Sequence, residues 1–291
     1  MTPVVATLEK LDTPALPAGR GTGGGVIARK GCSKPDHDYP RAGVRRIVPI
    51  FLALAAALAC VLPARSAWAK GSSGVGDPLH LEVADQADAY YYKPRVKGLR
   101  PVLMFLHGRG GNPLEDCRKW AKVGTQFGWV VCPQGPEDRG DGTRAWNNSV
   151  PAGKAIMEAT LHALRDKYKG RVQLRGNVLI GFSEGAFIAM QVGLHDPVTW
   201  NRWLILAAND QYWWGDTEQL LHENRHRYKR VYLFTGENDE VAESTVRVGD
   251  ELKKERIPVK IRIAPGVGHE IPGDRMVTNY RRPLLWLVSA K

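Results

Sequence analysis

The sequence is poor in cysteine, with four in 291 residues and no Cys-x-x-Cys pair. Thiolates at that spacing are common ligands of structural zinc, so their absence argues against a fold built around zinc. Long blocks of Lys or Arg are also missing, although the formal net charge is +11. Basic residues scattered in this way are typical of a solvated surface, and we expect no nucleic-acid partner.

No apolar run reaches the roughly 20 residues that a membrane-spanning helix requires. The apolar run of residues 47–63 is shorter, follows two arginines and precedes Ala67 and Ala69. This order of basic, apolar and small residues is typical of an export signal that is cleaved after its last small residue, here Ala69. The sequence therefore predicts an exported protein, periplasmic or extracellular, whose membrane contact is confined to the signal.

Residues 1–69 are interpreted as an N-terminal extension that ends in this signal. Residues 1–43 are rich in glycine and proline, as is typical of disorder, and Val44 is a possible true start that would leave a compact signal. An uncleaved anchor and a lipid anchor on Cys60 are the alternatives. Residues 70–291 are long enough for one substantial core.

Short apolar runs alternate with helical patterns along residues 70–291. Nearly continuous apolar runs such as PVLMFL are expected of strands that are buried on both faces. The predicted strands are ADAYYYKPR, PVLMFLHG, GWVVCP, NVLIG, RWLILAA, RVYLFTG and VKIRIAP; the predicted helices are VPAGKAIMEATLHALRDKY, EGAFIAMQVGL, TEQLLHENRHRY, VAESTVRVGDELKKE and YRRPLLWLVSA. This alternation predicts an α/β fold with a mostly parallel central sheet and helices on both faces.

Reactive side chains follow three of the predicted strands. Ser183 follows NVLI within Gly-Phe-Ser-Glu-Gly, Asp239 follows VYLFTGEN, and His269 follows VKIRIAPGVG. Because the carboxyl ends of parallel strands share one edge of the sheet, we expect these side chains to converge. A serine becomes nucleophilic when a histidine takes its proton and a carboxylate orients that histidine. The sequence therefore predicts catalysis by Ser183, His269 and Asp239.

Other acids lie close to Asp239 or follow a neighbouring strand. Glu237 and Glu240 lie beside Asp239, and Asp210 follows the strand RWLILAA, so each is an alternative acid. His107 also follows a strand, but we expect it to make structural hydrogen bonds rather than to act as a base.

The G-x-S-x-G pattern is typical of a strained turn in which small residues let a strand and a helix pack closely. Such a turn places the amide of Glu184 at a helix start, where it can stabilise an oxyanion. The glycine-rich loop HGRGG can bring a second amide, that of Arg109, to the same place. We predict that these two amides form the oxyanion hole.

The segments FLHGRGG, VCPQGP, GFSEGA, FTGENDEVA and GVGHE together resemble the α/β-hydrolase family, from about residue 80 to the end. They are most similar to the small serine esterases of its carboxylesterase/phospholipase and dienelactone-hydrolase-like branches. The resemblance implies a catalytic domain with little or no cap, in which Ser183 is nucleophile, Asp239 acid and His269 base. It implies hydrolysis of small carboxylic esters without a metal or organic cofactor.

Two residues depart from the pattern of that family. Glu184 stands where glutamine, methionine or histidine is more usual, and Arg109 stands where hydrophobic residues are common. A carboxylate beside a developing oxyanion is unfavourable unless its side chain turns away. Our hypothesis is that Arg109 and Glu184 lie close together and pair.

Aromatic residues follow two of the strands on the expected side of the sheet. Trp146, Tyr212, Trp213 and Trp214 are predicted to line an acyl or aryl pocket, with packing beneath loops as the alternative. Because a fold and a triad do not fix a substrate, a peptidase, a thioesterase and a catalytically silent binding protein are alternatives to an esterase.

Two cysteines, Cys117 and Cys132, fall in the expected mature chain. Export permits a disulfide between them, and two separately buried thiols are the alternative. The sequence specifies no oligomeric state.

Overall fold

Strands and helices alternate along residues 75–213 and 215–290, which are the residues that the computed structural model describes. The predicted export signal, Val44, Cys60 and the cleavage point after Ala69 lie outside them. The strands are β1 (Leu79–Leu81), β2 (Ala89–Tyr92), β3 (Val102–Leu106), β4 (Trp129–Cys132), β5 (Glu137–Gly140), β6 (Thr143–Ala145), β7 (Val178–Phe182), β8 (Arg202–Leu206), β9 (Arg230–Gly236) and β10 (Val259–Ala264). The α-helices are α1 (Pro113–Gly124), α2 (Val150–Lys167), α3 (Glu184–His195), α4 (Thr217–Asn224), α5 (Ala242–Lys254) and α6 (Met276–Val288).

Eight of these strands form one sheet in the order β1-β2-β4-β3-β7-β8-β9-β10. Strand β2 pairs antiparallel with β1 and with β4, and the pairings along β4-β3-β7-β8-β9-β10 are all parallel. Strands β5 and β6 form a separate hairpin between β4 and α2. The mostly parallel sheet that the sequence predicts is confirmed, with an antiparallel edge added to it.

Side chains of the central strands alternate between two hydrophobic cores. In β3, Met104 packs in one core and Phe105 in the other, because neighbouring side chains of a strand point to opposite faces. Helices α2, α3, α4 and α5 cover the first face, and α1 and α6 cover the second. Burial on both faces explains why these strands are continuous apolar runs in the sequence.

Helix starts near the site are fixed by side-chain caps. Asn112 accepts a hydrogen bond from the Glu115 amide at the start of α1, and Ser149 accepts one from the Ala152 amide at the start of α2. In both helices a proline occupies the first turn, where its missing N–H costs nothing. These caps fix where the two preceding loops end and the helices begin.

Cys117 of α1 and Cys132 of β4 form a disulfide. Of the two alternatives that the sequence leaves open, the structure therefore shows the bridge. It joins the helix after β3 to the strand beside β3.

None of the helices in the described part of the chain is long and apolar enough to cross a bilayer. No inserted cap domain interrupts the described residues, and the β5–β6 hairpin is a small addition to the connection between β4 and α2.

Candidate active site

Ser183 lies at a sharp turn between β7 and α3. Its backbone has φ 54° and ψ −119°, a conformation that non-glycine residues rarely adopt. The turn is held by the hydrogen bond from the Ser183 amide to the Leu206 carbonyl and by the bond from the Ala186 amide to the Ser183 carbonyl. The strained backbone projects the serine hydroxyl out of the strand–helix junction.

The glycines on either side of Ser183 are required by close packing. A Cβ at Gly181 would lie 2.4 Å from the carbonyl oxygen of Gly185, and a Cβ at Gly185 would lie 2.3 Å from the carbonyl oxygen of Leu106. Both distances are far below van der Waals contact, and the opposing atoms belong to the backbone. The spacing of the G-x-S-x-G motif therefore has a steric cause here.

The structure brings the three predicted catalytic side chains together at the carboxyl edge of the sheet. His269 Nε2 is 2.8 Å from Ser183 Oγ, and His269 Nδ1 is 3.0 and 3.1 Å from the two carboxylate oxygens of Asp239. With its proton on Nδ1, the imidazole donates to Asp239 and accepts from the serine hydroxyl. This is the geometry of a Ser–His–Asp triad.

Asp239 is held rigidly, whereas His269 is open to solvent. The Asp239 side chain is only 2% exposed and accepts hydrogen bonds from Thr235 Oγ1 at 2.9 Å and from the Val241 amide at 3.1 Å. The His269 side chain is 38% exposed and packs against the ring of Phe182. A buried carboxylate with fixed donors orients the imidazole, while the exposed edge of the ring stays accessible to a substrate.

The other candidate acids are engaged elsewhere or lie at the rim. The Glu237 carboxylate accepts a hydrogen bond from the Gly266 amide. Asp210 pairs with Arg247, and that hydrogen bond lowers the pKa of the Asp210 carboxyl. Glu240 is exposed at the edge of the cleft that contains Ser183. Among these acids, Asp239 is the one that bonds to His269.

The predicted oxyanion donors stand at the start of α3 and in the loop after β3. The amide of Glu184 is the first of its helix and has no partner within the helix. In the loop, the amides of Gly110 and Gly111 donate to the carbonyls of Arg144 and Gly108. Both of these neighbouring amides are thus used by the loop itself, and the Arg109 amide remains a predicted second donor.

The carboxylate of Glu184 points into a cluster of donors. Its Oε1 lies 2.6 Å from Arg109 Nη2 and 3.1 Å from the Asn148 amide, and its Oε2 lies 2.9 Å from the Trp146 amide. The side chain of Glu184 is 4% exposed and that of Arg109 is 50% exposed. The hypothesised ion pair is therefore present in the structure, and it fixes the carboxylate through bonds that do not involve Ser183.

A cleft of about 270 Å³ contains Ser183 and His269. Its other lining residues are Arg109, Asn148, Glu184, Phe187, Ala207, Asn209, Glu240 and Val241. A second cleft of about 440 Å³ lies beside the loop after β3 and shares Arg109 and His269 with the first. Sequence reasoning missed Asn148 and Asn209; the one available signal for Asn148 was its place in the loop singled out for Trp146.

The prediction that Trp146 contacts substrate is wrong. Its side chain is fully buried, stacks on His107 and donates from Nε1 to the His107 carbonyl. Trp213 lines a different cavity of about 430 Å³ together with Asp210 and Arg247, and Ser183 and His269 do not line that cavity. Neither Trp146 nor Trp213 therefore lines the serine cleft.

The remaining two aromatic predictions are not tested. Trp214 lies outside the described residues, and Tyr212 belongs to a short 3₁₀ turn, Asp210–Tyr212, that is described by its backbone. Both stay predictions.

His107 forms part of the support beneath the loop after β3. Its Nδ1 lies 2.8 Å from the Gly108 carbonyl oxygen, and its Nε2 accepts a hydrogen bond of 3.0 Å from the Gly135 amide. Burial lowers the pKa of the His107 imidazole, in keeping with a neutral ring that donates once and accepts once. The structure thus places His107 in the structural role expected for it.

Within the described part of the chain, no group of three or more His, Cys, Asp or Glu side chains is arranged to hold a metal ion.

No protein-family model matches the chain, and no curated protein sequence matches it significantly. Solved structures are similar to it. A carboxylesterase from Bacillus cereus is 18% identical, with 70% of this chain and 94% of that chain covered and a TM-score of 0.51. Est1E from Butyrivibrio proteoclasticus is 12% identical, with 74% and 100% covered and a TM-score of 0.53. FphF, a fluorophosphonate-binding serine hydrolase from Staphylococcus aureus, is 15% identical, with 74% and 99% covered and a TM-score of 0.55.

Identities this low establish a likeness of fold. The strand order, the helices on both faces and these neighbours show that the chain has the α/β-hydrolase fold, which confirms the fold class predicted from the sequence. On that fold, the serine turn after β7, the acid after β9 and the histidine after β10 occupy one rim of the sheet.

Proposed function

We propose that the protein is a serine hydrolase that cleaves carboxylic esters through an acyl-enzyme on Ser183. The observation that carries the proposal is the continuous hydrogen-bonded chain from Ser183 through His269 to Asp239. This arrangement requires a strained backbone at Ser183 and a buried carboxylate at Asp239, and both are unfavourable for folding. Nucleophilic catalysis explains why the protein has them.

In the acylation step, Ser183 Oγ attacks the ester carbonyl carbon and its proton passes to His269 Nε2. Asp239 holds the opposite nitrogen and stabilises the imidazolium that forms. Negative charge develops on the carbonyl oxygen, where the amides of Glu184 and Arg109 would donate hydrogen bonds. Collapse of this intermediate breaks the ester bond, and the alcohol leaves with the proton from His269.

In the deacylation step, His269 removes a proton from a water molecule, which attacks the acyl carbon of the acyl-enzyme. The acid is released when the bond to Ser183 Oγ breaks and His269 returns the proton to that oxygen. The two steps together consume one water and regenerate the enzyme, so the residues present complete the reaction.

The two clefts that meet at Arg109 and His269 support a compact substrate with polar groups. The serine cleft, at about 270 Å³, is near the lower end of ligand-site volumes and presents Asn148, Asn209 and Glu240 beside Phe187. We propose that one cleft holds the acyl group and the other the alcohol. Short acyl groups suit the smaller cleft.

A fluorophosphonate probe tests the proposed reaction directly, because it forms a covalent bond with activated serines. We expect the wild-type protein to be labelled and Ser183→Ala to be unlabelled, with loss of hydrolysis of p-nitrophenyl esters in the same variant. A folded wild-type protein that resists the probe and hydrolyses no ester, thioester or peptide would favour a silent binding protein. Labelling with hydrolysis confined to thioesters or peptides would retain the triad and reject the ester.

We also propose that the protein is exported. The disulfide between Cys117 and Cys132 supports this, since such bonds persist in oxidising compartments. Mass spectrometry of the mature protein from separated cell fractions tests the proposal; a chain retained in the cytosol with both thiols free would contradict it.

A further inference from the structure

The proposed reaction uses the backbone amide of Glu184 but assigns no part to its carboxylate. That carboxylate is nevertheless almost completely buried beside the nucleophile. Burying an ionised group is costly unless donors replace the lost water. The three donors to this carboxylate therefore indicate its role.

The donors to Glu184 come from two separate segments of the chain. Arg109 lies in the loop between β3 and α1, and Trp146 and Asn148 lie in the turn between β6 and α2. A single side chain on the first residue of α3 thus joins both segments to the helix that follows the nucleophile. The Glu184 carboxylate thus connects the loop after β3, the turn before α2 and the start of α3 at the mouth of the serine cleft.

The turn that Glu184 holds has a left-handed backbone. Asn147 and Asn148 both have positive φ, at 52° and 51°, and consecutive left-handed residues other than glycine are uncommon. The amides of Trp146 and Asn148, on either side of Asn147, donate to the Glu184 carboxylate and so hold this conformation in place. Asn148 then lies in the wall of the serine cleft, where its side chain can meet a substrate.

The loop that Glu184 holds carries the predicted second oxyanion donor. The ion pair tethers the Arg109 side chain to α3 and so limits how far the loop can move from the nucleophile. The amide of the same residue would point at the developing charge. Resting on the hydrolase activity proposed above, we infer that the Glu184 carboxylate is a positioning residue: it sets the Arg109 amide and the Asn147–Asn148 turn for the transition state.

An amide side chain would fill the same space but would not do the same work. The carboxylate presents only acceptors to three N–H donors. In Glu184→Gln, one oxygen becomes an NH₂ group that faces a donor, so at least one bond is replaced by repulsion. Glutamine therefore separates the acceptor role of Glu184 from its packing.

The experiment compares Glu184→Gln and Arg109→Met with the wild type and with Glu158→Gln. Glu158 makes an exposed ion pair with Lys154 on α2, so its variant is the matched control for the loss of a paired glutamate. For each protein, kcat and KM for a short-chain p-nitrophenyl ester, the rate of fluorophosphonate labelling and the thermal unfolding midpoint are measured. Rates are expressed per folded molecule.

We expect Glu184→Gln to lower kcat about tenfold, less than the roughly 10²–10³-fold loss that follows removal of an oxyanion donor. KM should change less than kcat, and labelling should slow in parallel, because the oxyanion hole acts on the transition state. Arg109→Met should lower kcat in the same direction. In the double variant, the fold-loss of kcat should be smaller than the product of the two single fold-losses, since both changes break the same ion pair.

Wild-type kcat and KM per folded molecule in both Glu184→Gln and Arg109→Met would overturn the positioning role while leaving the hydrolase intact. Loss of rate that merely follows loss of folded protein would overturn it equally. Absence of Ser183-dependent labelling in the wild type would instead reject the proposed function, so the two failures are distinguishable. If Glu184→Gln does not fold, Arg109→Met alone decides between these results.

Discussion

The imidazole of His269 lies 2.8 Å from the hydroxyl of Ser183, although 86 positions of sequence separate the two residues. This contact joins the loop after β10 to the turn after β7, and the parallel strands between them carry both to one edge.

Asp239→Asn should lower kcat by roughly 10⁴-fold, the scale of loss when a triad aspartate becomes an amide and the histidine takes the wrong tautomer. Asp210→Asn makes the same chemical change in an ion pair that is partly exposed, where such pairs contribute about 0–1 kcal/mol. Steady-state kinetics on p-nitrophenyl acetate measures both. Equal activity in the two variants would remove Asp239 from the proposed mechanism.

Gly185→Ala should destabilise the fold by about 1–3 kcal/mol or more, because the added Cβ meets backbone oxygens that have no room to move. Gly76→Ala is the matched control, since the space around its Cβ position is open and a surface substitution of this kind stays within about 0.5 kcal/mol. Urea unfolding followed by tryptophan fluorescence compares the two. A Gly185→Ala protein as stable as the control would contradict the tight turn.

Removing the disulfide with Cys117→Ala and Cys132→Ala together should lower the free energy of unfolding by about 3 kcal/mol, as chain entropy predicts for a loop of this length. Because neither cysteine belongs to the triad, kcat at temperatures well below the unfolding midpoint should stay near the wild-type value. Wild-type protein with added reductant should shift in the same direction. An unchanged midpoint in both tests would show that the bridge contributes no stability.

Stability should fall in mild acid because of His107. Its folded-state pKa is lowered by burial, so the unfolded chain binds a proton below about pH 6.5 that the folded protein does not. Unfolding is then favoured by up to about 1.4 kcal/mol for each pH unit below that value, until the folded-state pKa is reached. Denaturant unfolding between pH 7.5 and 5.0 measures the slope.

His107→Gln should flatten this slope. His162→Gln, at an exposed position on α2 where His162 pairs with Asp166, is the control for the loss of a surface histidine. The comparison uses the difference in pH dependence between variants, because loss of the His107 hydrogen bonds lowers stability at every pH. A His107 variant with the wild-type slope would assign the acid sensitivity to other groups.

Esters with short acyl chains should be the better substrates in the p-nitrophenyl series. Burial of a methylene group contributes about 0.8 kcal/mol, and a methylene group that stays in water contributes none of this. The value of kcat/KM should therefore stop rising once the acyl chain fills the space of about 270 Å³ beside Ser183. Acetyl, butyryl, octanoyl and dodecanoyl esters form the test set. A steady rise through dodecanoyl would show that a larger surface binds the acyl group.

The buried parallel strands could be predicted because burial on both faces produces a recognisable sequence pattern. Both faces of β3 and β7 are covered, so their sequences are continuous apolar runs that end at glycine-rich turns. The reactive residues follow those ends, and strand parallelism alone brings them to one rim. Other elements were not predicted: α1 intersperses charged residues among its apolar ones, and β1 and the β5–β6 hairpin are short.

Side-chain direction could not be predicted in the same way. Trp146 follows β6 of the separate hairpin, and residue type does not tell whether its ring faces the cleft or the core. Its burial depends on His107, which is 39 positions away. The pairing of Arg109 with Glu184 could be stated as a hypothesis, whereas the two further donors to the carboxylate depend on backbone conformation at Asn147 and Asn148.

The left-handed backbone of Ser183 also bears on how a protein of this kind would evolve if its activity were no longer under selection. Glycine takes up this conformation without strain. A change from serine to glycine would therefore remove the hydroxyl and relax the turn at the same time. We therefore expect inactive relatives with glycine at this position to unfold at higher temperature than active relatives with serine. The absence of the hydroxyl would identify the inactive ones.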